Sequence, residues 1–141
     1  MPVRTSEAEW RGDLRQGNGT MKLGSGAYQG AYSFPTRFEE AQGSNPEELI
    51  AAAHAGCFSM ALSAGLAKAG HAPRRVHTTA KVHLDKVGEG FAITRIDLET
   101  EAEVPGIDQA EFQRQADNAK KNCPVSKALA GPQITLKATL R

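Results

Sequence analysis

Charge of one sign is scarce in this chain: 17 Lys and Arg stand against 16 Asp and Glu, for a formal net charge of +1 over 141 residues, and nowhere do five like charges run together. Recognition of DNA, RNA or an anionic membrane needs a concentrated basic face, so neither nucleic acid nor membrane is expected as a partner. Cysteine is almost absent, with two residues, Cys57 and Cys123, far apart in the chain. A disulfide-stapled scaffold is thereby excluded. The opening "MPVRTSEAEWRGD" lacks the apolar segment of a secretory signal, which makes the cytoplasm the expected location. In that reducing compartment two cysteines pair transiently or catalytically more often than structurally. Internal repeats, linkers and low-complexity stretches are missing too, and a chain of this length buries roughly two thirds of its unfolded surface. A single domain spanning residues 1–141 is expected.

What is present is ordered strands first. Ala8 and Trp10 alternate with Glu7 and Glu9, and Asn18-Gly19 stands before an alternating Thr20-Met21-Lys22-Leu23; Asn-Gly predicts a tight two-residue hairpin turn there. The glycine-rich "GSGAYQGAY" predicts a connection or an edge segment. "SNPEELIAAAHAGCFSMALSAGLAKAG" then predicts a long helix: Asn45 caps, Pro46 fits the first turn, Glu48 completes a capping box and Gly70 ends it. No formal charge falls between Leu49 and Ala67. Alanine, glycine, serine and His54 make that stretch only weakly apolar, so a buried central helix is expected rather than a membrane span. So few other elements cannot cover it on every side, and a second copy of the chain is expected to help.

Two strands follow, the first with Val76, Ala80, Val82 and Leu84 on one parity. In the second, Phe91 and Ile93 share one parity while Ile96, Leu98, Ala102 and Val104 take the other, which predicts a bulge near Thr94 and Arg95. Asp108 with Glu111 predicts a second capping box, Ile107 can staple onto Phe112, and Phe112, Ala116 and Ala119 lie on one helical face. Asn122-Cys123-Pro124 breaks that helix and starts a short one. "QITLKATLR" closes the chain as an alternating strand. Strands, long helix, strands, helices and strand make an α+β fold.

Two thiols carry the candidate chemistry. Cys123 precedes a proline at a helix start, where unpaired amides favour a thiolate, whereas burial in mid-helix keeps Cys57 neutral. On these grounds alone Cys123 is the more acidic. Cys57 becomes a nucleophile only beside a cation, and Arg37 in "FPTRFEE" is the strong candidate nearest in sequence. Glu47, in the first turn of the long helix, can hold that guanidinium by two hydrogen bonds. The expected unit is Glu47, Arg37 and Cys57.

"TRFE", "NPEELIAAAHAGCFSMAL", "VHLDKVGEGFAIT", "VPGID" and "NCPVSKAL" together resemble the OsmC/Ohr family of osmotically inducible and organic-hydroperoxide-resistance proteins, over roughly Glu9 to Leu140. "AAHAGCFSMAL" and "CPVS" are closer to the OsmC branch. The resemblance implies an intertwined homodimer, with central long helices wrapped by mixed or antiparallel six-stranded sheets and active sites at the subunit interface. It implies a peroxidase without a cofactor that turns organic hydroperoxides, and more weakly hydrogen peroxide, into alcohols in oxidative or osmotic stress defence. Carried over by position, Cys57 is the peroxidatic thiol, Cys123 the resolving thiol, Arg37 the cation that stabilises the thiolate and orients the peroxide, and Glu47 its anchor. The arginine then outweighs the helix-end effect, since a close desolvated charge exceeds a partial one worth about 0.3–1 kcal/mol. The Cys57–Cys123 disulfide is reduced by an external dithiol, lipoylated or thioredoxin-like. Phe34, Phe38 and Met60 are expected to give the substrate pocket an apolar lining.

Two other readings stay open beside it. His54 and Cys57 are an i, i+3 pair that could bind a metal with Cys123 and one of His71, His77 or His83, although closed zinc sites use tighter ligand clusters. The uncharged helix could also serve a noncatalytic dimeric scaffold or ligand-binding protein.

Overall fold

The computed structural model describes residues 1–141, and their contacts group into two compact units, Met1–Leu49 and Ile50–Arg141. The first holds β1 (Ser6–Arg11), β2 (Asn18–Leu23), β3 (Gln29–Tyr32), a short α1 (Phe34–Phe38) and the start of α2 (Pro46–Lys68). The second holds the rest of α2, then β4 (Arg75–Val87), β5 (Gly90–Glu103), α3 (Gln109–Asn122), α4 (Pro124–Ala128) and β6 (Gln133–Leu140). Six strands form two sheets of three, in the orders β1-β2-β3 and β4-β5-β6. The fold is α+β, as expected.

In the first unit both pairings are antiparallel, and β3, built from the glycine-rich segment, is an edge strand. The turn between β1 and β2 is not at Asn18-Gly19. Those two residues already lie in the ladder, Asn18 opposite Arg11 and Gly19 opposite Trp10, and the chain reverses over residues 12–17 instead. Gly12 takes the left-handed conformation that this reversal needs, with φ +92°, and the Trp10 indole N–H donates to the Gly12 and Asp13 carbonyls at 3.1 Å each. Gly19 has a different job. A Cβ there would lie 2.7 Å from both the Trp10 and the Tyr32 rings and from the Glu9 carbonyl, so glycine lets the two rings, 5.3 Å apart between centroids, close over the strand. Close approach, not turn geometry, explains the residue.

The helix α1 was not foreseen. Ser33 caps it, exchanging hydrogen bonds with Thr36 in a complete capping box, with a proline in its first turn. At the start of α2 the Asn45 half of the expected capping box is present, Asn45 Oδ1 accepting from the Glu48 amide at 2.8 Å. Its end is as expected: Gly70 has φ +91° and the His71 amide reaches back to the Leu66 carbonyl at 2.8 Å.

In the second unit Phe58, Leu62 and Leu66 put one stripe of α2 into the core with no exposed surface, together with Ile96, Leu98 and Ala102 of β5 and Phe112 and Ala116 of α3. The opposite stripe, Ala52, Ala53, Gly56, Met60, Ala64 and Ala67, is exposed. One chain therefore covers only one side of the helix expected to be buried all round. Length and composition alone would let α2 cross a membrane, with mean hydropathy 1.6 in its 18-residue window, a measure that core helices of soluble proteins also meet.

The expected bulge is present. His83 pairs with Arg95 and Leu84 with Ile93, leaving Thr94 as the extra residue of β5. From Ile96 onward this turns Ile96, Leu98 and Ala102 inward. β4 and β5 are antiparallel, while β6 runs parallel to β5 after the α3–α4 crossover. Asp108 caps α3 through the Glu111 amide at 2.7 Å, but the Glu111 carboxylate turns to Gln115 and Arg114 instead of closing the capping box. Cys123 ends α3 and caps α4 at once, its extended backbone breaking the helix before Pro124.

Gly19→Ala is expected to destabilise the Met1–Leu49 unit by about 1–3 kcal/mol through overpacking and to change Trp10 fluorescence; urea denaturation followed at that tryptophan measures both.

Candidate active site

Arg37 and Glu47 meet in the first unit. Arg37 Nε donates to Glu47 Oε1 at 3.0 Å and to Oε2 at 3.3 Å, and Nη2 donates to Oε1 at 2.8 Å. The carboxylate is nearly buried, 10% exposed, while the guanidinium side chain is 36% exposed. Folding thus commits one edge of the planar fork to Glu47 and leaves Nη1 outside the pair. The Arg37 guanidinium also stands 5.1 Å from the Phe38 ring centroid.

Around this pair the first unit forms a cavity of about 380 Å³, lined by Trp10, Leu14, Tyr32, Phe34, Arg37 and Phe38 among others. Apolar walls with one fixed cation suit a small organic molecule carrying a polar, polarisable group. Phe34 and Phe38, 4.9 Å apart between ring centroids, both line this cavity. Trp10, Leu14 and Tyr32 were not anticipated; Trp10 alternating with charged neighbours in β1 was their only trace in the sequence. Met60 belongs to the second unit and stands 77% exposed on the outward stripe of α2.

The two cysteines meet in the second unit, both reduced. Cys57 is half-buried on α2, Cys123 is fully buried, and the two thiols are close enough to act on each other's ionisation. Burial pushes the Cys57 thiol upward; the Val125 amide opposes this, and the neighbouring Cys123 adds to the upward push. Burial also opposes ionisation of Cys123. There the Ser126 hydroxyl, the Ser126 amide, Cys57 and the Val125 amide together outweigh it and bring the thiol below its ordinary value. Within residues 50–141, then, Cys123 is the more acidic of the two, as its place at a helix start implied.

Ser126 is a further residue that was not anticipated. Its amide donates to Cys123 Sγ at 3.3 Å, its Oγ accepts from the Cys123 thiol at 3.3 Å, and the same Oγ lies 2.7 Å from His54 Nε2. The available signal was its position, three residues after a capping cysteine in "CPVS". His54 and His83 have partners other than a metal set, Ser126 for the first and Asp97 at 2.7 Å for the second. No three His, Cys, Asp or Glu side chains gather in metal-binding proximity.

Comparison with known proteins identifies the family. The family described as OsmC-like protein matches residues 39–137, and the chain belongs to it. It is 51% identical over 139 residues to a protein named peroxiredoxin OsmC from Escherichia coli, covering 98% of this chain and 96% of that one. It is 38% identical over 90 residues to an organic hydroperoxide resistance protein from Xanthomonas axonopodis pv. citri, covering 63% and 61% of the two chains. Among solved structures, an organic hydroperoxide resistance protein from Elizabethkingia anophelis with thiocyanate bound superposes with TM-score 0.73 at 26% identity, over 99% of both chains.

An oxidant such as diamide is expected to join Cys57 to Cys123 within one chain, because sulfurs already in contact need little backbone movement to bond. Free thiols per chain fall from two to none, and non-reducing electrophoresis shows no covalently linked chains.

Proposed function

We propose that this protein is a thiol-dependent peroxidase that reduces organic hydroperoxides, and hydrogen peroxide more weakly, in defence against oxidative or osmotic stress. The peroxidase class rests on near full-length similarity to a peroxiredoxin. The observation that carries the mechanism is the contact between Cys57 and Cys123, and the half-exposed member of that pair is the one open to substrate.

Cys57 is the peroxidatic thiol. Its burial alone keeps it protonated, so it needs a cation, and Arg37 held by Glu47 is the cation proposed. As thiolate, Cys57 attacks the distal peroxide oxygen, the O–O bond breaks, an alcohol leaves and Cys57 becomes a sulfenic acid. Cys123 then displaces hydroxide from that sulfur, giving the disulfide and water. An external dithiol, lipoylated or thioredoxin-like, returns both thiols. Phe34 and Phe38 line the pocket that receives the organic part of the substrate, with Met60 joining them in the assembled protein, and the whole chain acts as a single OsmC-like domain in the cytoplasm.

The assembled form is a homodimer. The outward stripe of α2 is uncharged, built of small residues and Met60, and exposed in one chain; two such faces can approach closely, as helices with small residues do. Joining three strands of one copy to three of the other makes the six-stranded sheets of an intertwined pair.

Stopped-flow kinetics with cumene hydroperoxide and hydrogen peroxide test the chemistry. Cys57→Ser is expected to abolish consumption of both, and Arg37→Ala to lower the second-order rate constant by about a hundredfold, roughly what a lost preorganised cation costs, with the organic peroxide faster in the parent. An unchanged rate in Arg37→Ala removes the arginine from the mechanism. Separately, Met60→Glu places a charge in the uncharged stripe and is expected to yield monomers in analytical ultracentrifugation; a dimer of undiminished affinity assigns the interface elsewhere.

A further inference from the structure

One buried cluster in the second unit is not used by the mechanism above. His54, with no exposed surface, reaches across from α2 to Ser126 on α4 at 2.7 Å, and Ser126 Oγ in turn accepts from Cys123 Sγ at 3.3 Å. The hydrogens follow by elimination. With the Cys123 thiol donating to Ser126, the one Ser126 hydrogen is directed at His54 Nε2, so the neutral ring carries its proton on Nδ1. That Nδ1 is buried and has no hydrogen-bond partner. A buried polar atom left unpaired in a native core calls for a reason, and packing alone gives none, since a leucine at position 54 would fill a helix interior without that cost.

We infer that Ser126 and His54 form a proton relay that activates the resolving thiol: the Cys123 proton passes to Ser126 Oγ as the Ser126 proton passes to His54 Nε2. This rests on the peroxidase reading for its biological setting, though not for its chemistry. Ser126 touches the reacting sulfur and is the catalytic member; His54 acts through it as a positioning residue that also stores the proton.

During resolution the Cys123 sulfur bonds to the Cys57 sulfur while the S–O bond of the sulfenic acid breaks, its electron pair leaving with oxygen. The Cys57 sulfur is reduced and the Cys123 sulfur oxidised, both to the disulfide level. The proton held by His54 ends on the released hydroxide, giving water and the neutral ring again. Burial lowers the affinity of His54 for a second proton, which suits a transient acceptor that must not remain charged. The groups that favour the Cys123 thiolate are Ser126, Cys57 and the Val125 amide, set against burial, and the polar partner of His54 is Ser126.

A peroxide-independent assay isolates the step. Cys57, the more exposed thiol, is loaded with thionitrobenzoate through an aromatic disulfide, and Cys123 is timed as it displaces the coloured leaving group, which needs no proton. At neutral pH both Ser126→Ala and His54→Gln are expected to slow release by about a hundredfold, a typical contribution of a positioned proton acceptor. The deficit closes at alkaline pH, where Cys123 ionises unaided. His54→Gln keeps a hydrogen-bond donor without the basic nitrogen, and circular dichroism verifies that each variant folds. Parent-like rates in either variant, or a deficit of the same size at every pH, overturn the relay. A parent that releases thionitrobenzoate through the relay yet leaves hydroperoxides untouched overturns the peroxidase reading instead, so the two failures are separable.

Discussion

The structure depends on one break in one helix. Were α3 to continue through position 123, the backbone there would stay helical and the sulfur would follow the helix face. Instead Pro124 cannot accept a continuing helix, Cys123 adopts an extended conformation with φ −60° and ψ 133°, and its sulfur turns to accept the Ser126 amide. That turn brings it to Cys57 on α2. A backbone constraint of a few atoms thus decides that two thiols, remote in sequence, are partners.

In the proposed mechanism two demands conflict around this contact. A thiol that attacks peroxide must ionise, and a thiol that resolves it must be near yet sheltered from solvent. Burial opposes ionisation at both sulfurs, and the second unit compensates only one of them, through the hydroxyl and amides around Cys123. Cys57 receives an amide from Val125, which does not reverse the effect of burial. In the first unit Glu47 holds Arg37, the cation proposed for Cys57, by three hydrogen bonds beside an apolar cavity. An arginine so fixed loses little further entropy when it binds an oxygen.

The same economy shows in α2. One of its stripes supplies Phe58, Leu62 and Leu66 to the core and carries His54 to Ser126; the other is smooth, uncharged and bare in a single chain. A helix with no polar face has no side to give to water, and so this one element ties core, thiol chemistry and proposed self-association together.

Much of this was legible in the residues. Asn45-Pro46 and Gly70 mark the bounds of α2, the parity switch at Thr94 marks the bulge, and Asn122-Cys123-Pro124 marks the helix break, because caps, prolines and period-2 alternation are local rules read off neighbours in the chain. Glu47 could be matched with Arg37 since both lie near the same helix start. The short α1 went unseen although Ser33 and Thr36 frame it, because five residues are too few to show a period. Asn18-Gly19 misled for a related reason: the dipeptide fits a tight turn, but the rings of Trp10 and Tyr32 need a residue without a side chain between them, and packing overrode propensity. Sequence by itself determined the elements, their order and which residue types could ionise or bond. Tertiary structure alone decided that Gly19 serves two aromatic rings, that Cys57 touches Cys123 and that Ser126 bridges Cys123 to His54, since contact between distant residues is settled by the burial of whole faces and by nothing that a neighbour in the chain can dictate.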